Sequence, residues 1–255
     1  MRKLIQMALC VMVGFAPGCD APSETEDLEN TRSTDTPQDL VLYDTGKDDS
    51  ATFNPNRLID QELFEDAQFM SVEDIQDFLD HSPYGHTSFL ATYLWNGESV
   101  AQVIGRYAEE YQINPMVLLA KIQVESSLVF RSSPSPYHLE VALGCGCPDT
   151  GPACAYAPAG FGRQVECAAE LFRSYLESID STGSTISGGA PGRTKLTSDG
   201  FSVTPSNSAT AALYTYTPWV LTNTGGNWLF WNVFRKFMAH VLADRPNHQW
   251  VGSEC

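Results

Sequence analysis

Residues 114–130 read NPMVLLAKIQVESSLVF, and the architecture turns on what this stretch becomes. Asn114 followed by Pro115 marks a helix start: the Asn side chain can cap free amides, and Pro suits the first helical position because it has none. Leu118, Ile122 and Glu125 then recur at i, i+4 and i+7, which lines them up on one stripe. Two of the three belong in a core, so Glu125 shares a core-facing stripe. It lies three turns, roughly 15 Å, from the capped start, where a helix can emerge into a cleft. Burial disfavours an ionised carboxyl. A carboxyl that holds its proton can deliver it to a leaving oxygen, as opening a glycosidic bond requires. The plainer alternative pairs Glu125 with Lys121 one turn earlier on a solvated face, although Lys before Glu is the weaker order.

Helix patterns continue on both sides. SVEDIQDFLDHS (71–82) offers Ser71 as a cap with Asp74 three residues on, then Ile75, Phe78 and Leu79 on one face. ESVAQVIGRYAEEY (98–111) repeats the scheme with Val100, Val103, Ile104 and Tyr107. GFGRQVECAAELFRSYLESI (160–179), SATAALYTY (208–216) and NWLFWNVFRKFMAHVL (227–242) supply three more. In the last, the spacing of Phe230, Phe234 and Phe237 places them in the core. The Ser/Thr/Gly-rich stretch 180–207 reads as a loop or a small strand excursion. No internal repeat stands out. The expectation is an all-α fold, α+β at most, with a single helical domain over 57–255, in a chain of 255 residues able to bury one sizeable core.

The N-terminal part is of another kind. Arg2 and Lys3 precede an apolar run from Leu4 to Phe15, right for a signal peptide over 1–18 and too short to span a bilayer. The following APGCD is similar to a bacterial lipobox, which implies lipidation of Cys19. Ala16 stands where Leu is usual, and a plain secreted protein is the alternative. Acyl chains on Cys19 would hold the protein to a membrane without a transmembrane helix. Residues 19–56 read as an acidic, disordered linker: from Asp20 to Asn56, ten acids against Arg32 and Lys47 leave a charge of −8. With −16 over the whole chain, nucleic acid is excluded as a partner. Export also accounts for Cys145, Cys147, Cys154 and Cys167, which an oxidising compartment lets pair as disulfides. Adjacent Cys145 and Cys147 do not suit each other, the remaining pairings stay open, and Cys255 is left over. A metal site on the same thiols is the rival, but no CxxC pair is present.

Here the sequence resembles a family. INPMVLLAKIQVESSLV (113–129) is similar to the catalytic helix of the lysozyme-like superfamily, especially the lytic transglycosylases and related exported peptidoglycan-cleaving proteins. In these a helix ends in Glu-Ser with the Glu as sole catalytic acid, which implies Glu125 for that role and Ser126 beside it. AALYTYTP (211–218) is similar to the family's Ala-Tyr-Asn-x-Gly-Pro element, with Tyr214 in the Tyr register and Thr215 in place of Asn. GGNWLFWNVFRKFM (225–238) resembles the C-terminal helix of one branch. The family's Gly-Leu-Met-Gln element is not legible; VALGCGCPD fills its distance and GFGRQ comes later.

The resemblance implies a peptidoglycan lytic transglycosylase of the cell envelope, in the periplasm or on the cell surface. Glu125 protonates the MurNAc–GlcNAc bond and then takes a proton from the muramic 6-hydroxyl. No cofactor and no metal is called for. Substrate contacts are expected from Ser126, Tyr214, Tyr216 and Trp219. A muramidase or glucosaminidase on the same fold is one alternative, with Glu140 or Asp149 as second carboxylate. A non-catalytic wall-binding lipoprotein is the other. His81 and His86, five apart across a Pro-containing turn, do not make a zinc pair, and no GxSxG elbow or P-loop is present.

Overall fold

The computed structural model describes residues 52–147 and 157–244, all of them within one compact unit. In chain order the helices among them are α1 (Gln61–Phe64), α2 (Val72–Asp80), α3 (Val100–Tyr111), α4 (Pro115–Ser126), α5 (Pro136–Glu140), α6 (Phe161–Thr182), α7 (Ser208–Tyr216) and α8 (Gly226–Asp244). Two short antiparallel hairpins interrupt them: β1 (Leu94–Trp95) with β2 (Glu98–Ser99), and β3 (Lys195–Leu196) with β4 (Ser202–Val203). The fold is thus mostly helical, as expected. The signal peptide, Cys19, nearly all of the linker, Asp149, Cys154 and Cys255 lie outside the described residues.

The caps form where the sequence puts them. Ser71 and Asp74 make a reciprocal capping box on α2. On α4 the Asn114 side chain accepts from the Met116 amide at 2.8 Å and donates to the Leu63 carbonyl at 2.8 Å. One side chain therefore starts α4 and ties it to α1. From Pro115 to Gln123 α4 is buried on every side, packed chiefly against α8, α3 and α6. It stops at Ser127, which takes a left-handed φ of 59°. The chain begins to make contacts before the compositional boundary at Arg57. The Phe53 ring meets Trp231 edge-on at 5.5 Å, and the Asn56 side chain accepts from the Thr204 amide at 2.7 Å.

The hairpin β1–β2 was not anticipated, though Asn96-Gly97 signals it. Both residues have positive φ, 53° and 88°, as a tight two-residue connection requires. It carries the Trp95 ring onto the start of α6, where a Cβ on Gly162 would stand 2.3 Å from the ring. Hairpin β3–β4 falls in the Ser/Thr/Gly-rich stretch and fixes the segment after α7. Asp199 in its turn accepts from the Val220 and Leu221 amides at 3.1 and 2.7 Å, and the Ser198 amide donates to the Pro218 carbonyl at 2.7 Å.

Two stability measurements follow. Gly162→Ala overpacks the Trp95 contact and should cost about 1–3 kcal/mol, seen as a fall of several degrees in thermal melting; an unchanged melting point would refute that contact. Desolvation alone would raise the Asp199 carboxyl, but donation from the Thr197 hydroxyl and the Leu221 and Val220 amides holds it below the ordinary value. A carboxylate so depressed stabilises the fold above its unfolded value of about 4 and loses that contribution as pH falls through the folded value. Asp199→Ala should therefore be less stable than wild type at pH 7, and the gap should shrink below about pH 4. A gap that widens with acid would contradict this.

Candidate functional site

The last turn of α4 holds a charge where a core residue would be expected. The Lys121 side chain is 1% accessible; the Glu125 side chain, one turn later, is 26% accessible, and Glu125 as a whole residue is exposed. An ammonium taken out of water needs partners on all sides. Lys121 Nζ donates to Glu125 Oε1 and to Thr217 Oγ1, the latter at 2.8 Å, and it stands 4.6 Å above the centre of the Tyr216 ring. Thr217 Oγ1 is also 3.4 Å from Glu125 Oε1. Of the two alternatives read from the sequence, the pairing is the one present. Glu125 does pair with Lys121, but the Lys end of the pair is fully buried and does not sit on a solvated face.

The two oxygens of Glu125 have different surroundings. Oε1 is anchored by Lys121 and Thr217. Oε2 takes no hydrogen bond among the described residues and faces Gly144, where a Cβ would stand 3.5 Å away. Gly144 has φ +66°, so the glycine suits both the turn and the approach.

The loop carrying Gly144 is held from below. Gln164, fully buried in α6, accepts from the Leu143 and Cys145 amides at 3.2 and 3.0 Å and donates to the Cys145 and Pro158 carbonyls at 2.9 Å each. Cys145 is joined to Cys167, with Cα atoms 6.1 Å apart. A cross-link over 22 residues contributes about 3 kcal/mol by loop closure. Cys147 is disulfide-bonded as well. These sulfurs are therefore not free thiolates for a metal, and among the described residues no group of three or more His, Cys, Asp or Glu is placed to hold one.

The other expected residues divide. Tyr216 belongs to the site: its ring stacks on Phe172 at 4.8 Å, and its hydroxyl donates to the Leu143 carbonyl at 2.8 Å. Burial, then the charge of Glu125 and the neighbouring Tyr175, push its phenol well above the ordinary range. Tyr214, expected in that position, lies elsewhere. It is buried, and the charge that helps burial raise its phenol is Asp199. Two residues apart on a helix are about 200° apart, so only one tyrosine can face Glu125. The pair Tyr216-Thr217 thus stands where the sequence reading put Tyr214-Thr215, and Thr215 bonds instead to Thr185 and the Ala211 carbonyl.

Ser126 does not line a cleft either. It is buried, with Oγ 2.8 Å from the Ile122 carbonyl and 2.7 Å from that of Ala142. Trp219 is partly exposed, and its carbonyl accepts from Asn227. Glu140 is exposed on α5. Lys121, Thr217, Gly144 and Gln164 were not singled out as site residues; Lys121 carried a signal in its spacing from Glu125, and Gln164 as the polar residue of GFGRQ on an otherwise apolar helix face.

Two further residues set the position of Thr217. The buried Asn227 donates to the Thr217 carbonyl at 2.6 Å. Beside it, Gly226 has φ +55° and a Cβ there would stand 2.7 Å from the Trp219 carbonyl. The Gly-Asn start of α8 is therefore a clamp on the segment that covers Lys121.

A family model described as the N-terminal domain of LasA matches residues 57–215. No curated protein and no solved structure matches the chain. The matched stretch includes Lys121, Glu125, Gly144 and Gln164 and ends just before Tyr216 and Thr217. Since it spans more than half of the sequence, the chain belongs to the LasA N-terminal domain family.

Proposed function

We propose that this protein cleaves the glycan strands of peptidoglycan and that Glu125 moves the proton. The observation that carries this is the asymmetry of its carboxyl: Oε1 is held by Lys121 and Thr217, while Oε2, with no hydrogen bond among the described residues, lies beside Gly144. Two further points support it. Membership of the LasA N-terminal domain family, related to a peptidoglycan-active protease, points to the cell wall as the target and leaves the bond to be cut to the geometry of the site. The helix ending in Glu125-Ser126 and the Gly-Asn start of α8 resemble the lysozyme-like superfamily.

In the reaction this implies, Glu125 gives its proton to the oxygen leaving from the MurNAc–GlcNAc bond. As carboxylate it then takes the proton of the muramic 6-hydroxyl, whose oxygen closes on the anomeric carbon to an anhydro ring. One carboxyl serves both steps, and water is not consumed. On this reading the protein is exported, with Cys19 as its lipid anchor. Among the described residues no helix is long and apolar enough to cross a membrane.

One observation favours a second reading. The Lys121 side chain is almost wholly buried and Glu125 is its counter-charge, a part that needs no chemistry from the carboxyl. If the pair serves stability alone, the domain binds wall without cutting it.

Digestion of purified peptidoglycan followed by mass analysis separates these. Wild type should release anhydro-muropeptides, and Glu125→Gln should lose at least about a hundredfold in rate. Reducing ends in place of anhydro ends would indicate a muramidase or glucosaminidase, and no release by wild type would leave the binding reading.

Glu125→Gln also leaves Lys121 without a counter-charge and should cost roughly 3 kcal/mol, the low end for a broken buried pair because Glu125 is partly exposed. The double variant Lys121→Met with Glu125→Gln should regain much of that stability in chemical denaturation while remaining inactive. Activity that returns with stability would show that Glu125 has only a structural role.

A further inference from the structure

We infer that Thr217 is a positioning residue that, with Lys121, orients Glu125 so that proton traffic runs through Oε2; this rests on the reading of Glu125 given above. The geometry is a closed triangle. Lys121 Nζ donates to Thr217 Oγ1 at 2.8 Å and to Glu125 Oε1, and Thr217 Oγ1 lies 3.4 Å from the same Oε1. A hydroxyl has one proton and two lone pairs. With a lone pair engaged by the ammonium, the Thr217 proton is directed to the carboxylate. A short donor from Lys121 and a longer one from Thr217 thus meet on one oxygen, and the other oxygen lies beside Gly144.

Thr217 is held far more firmly than a residue merely capping a lysine needs to be. Its amide donates to the Leu213 carbonyl at 2.9 Å and its carbonyl accepts from Asn227 at 2.6 Å. The next residue, Pro218, accepts from the Ser198 amide, and Val220 and Leu221 donate to Asp199. Helices α7 and α8 therefore hold the backbone of Thr217 itself, and the β3–β4 hairpin holds the residues just after it, while the Thr217 hydroxyl reaches a carboxylate 92 positions earlier. Fixing a reacting group in this way acts on the chemical step, where a displacement of about 1 Å can cost about a hundredfold.

The test is steady-state kinetics on soluble, uncrosslinked peptidoglycan strands, at a temperature where circular dichroism shows each variant folded. Thr217→Val keeps the volume and removes the hydroxyl; it should lower kcat by about tenfold or more with KM unchanged. Thr217→Ser restores the hydroxyl and should return kcat to within about threefold of wild type. A purely structural threonine would instead lower the melting point and leave kcat of the folded protein intact, and Thr217→Val with wild-type kcat overturns this inference alone. Should Thr217→Val not fold, Thr217→Ala is read in the same way. If wild type itself cleaves no strands, the reading of Glu125 falls and this inference falls with it.

Discussion

A positive charge inside the helical core is the constraint on which the site depends. Lys121 lies on the most deeply buried helix, and an ammonium there is tolerable only with its donors engaged. Its own helix provides Glu125. The remaining partners, Thr217 and the Tyr216 ring, come from the end of α7. Placing them needs the clamp from Asn227, the close approach that only Gly226 permits, and the Asp199 turn of the β3–β4 hairpin. Features far apart in the chain thus answer one local requirement.

That requirement has a chemical consequence. The anchored oxygen of Glu125 is the one turned inward, so the outward oxygen is positioned without being consumed by structure. The wall opposite is rigid for separate reasons: Gln164 satisfies the loop's amides and carbonyls, and the Cys145–Cys167 bond ties the same loop to α6. A carboxylate of fixed orientation facing a fixed loop is suited to bond chemistry on a bound strand.

The parts of this structure that are local were legible in the sequence. Asn114-Pro115, the Ser71/Asp74 box and the periodic faces of α2, α3 and α6 each declare themselves within one or two turns, and each is present. The position of Glu125 in the final turn follows from counting residues from the cap. Long-range closure was not legible. Spacing shows that Lys121 and Glu125 are neighbours, but not that a segment beginning 96 residues after Lys121 covers the lysine. Tyr214 and Tyr216 are equivalent as letters; only the packing of α7 on α6 decides which ring lies under Lys121. Ser126 looked available because a sequence does not show that its hydroxyl turns back to the Ile122 carbonyl. The Asn96-Gly97 hairpin was a missed local signal, hidden because its strands are only two residues long.

The central claim is that the outward oxygen of Glu125, beside Gly144, is where a glycan is cut. A crystal structure of the Glu125→Gln protein with an uncleaved tetrasaccharide of alternating GlcNAc and MurNAc tests it most directly. The account predicts a glycosidic oxygen within about 3 Å of the outward atom of residue 125, with the inward atom still held by Lys121 and Thr217. A sugar bound away from residue 125, or a Gly144 face closed to it, would contradict the account.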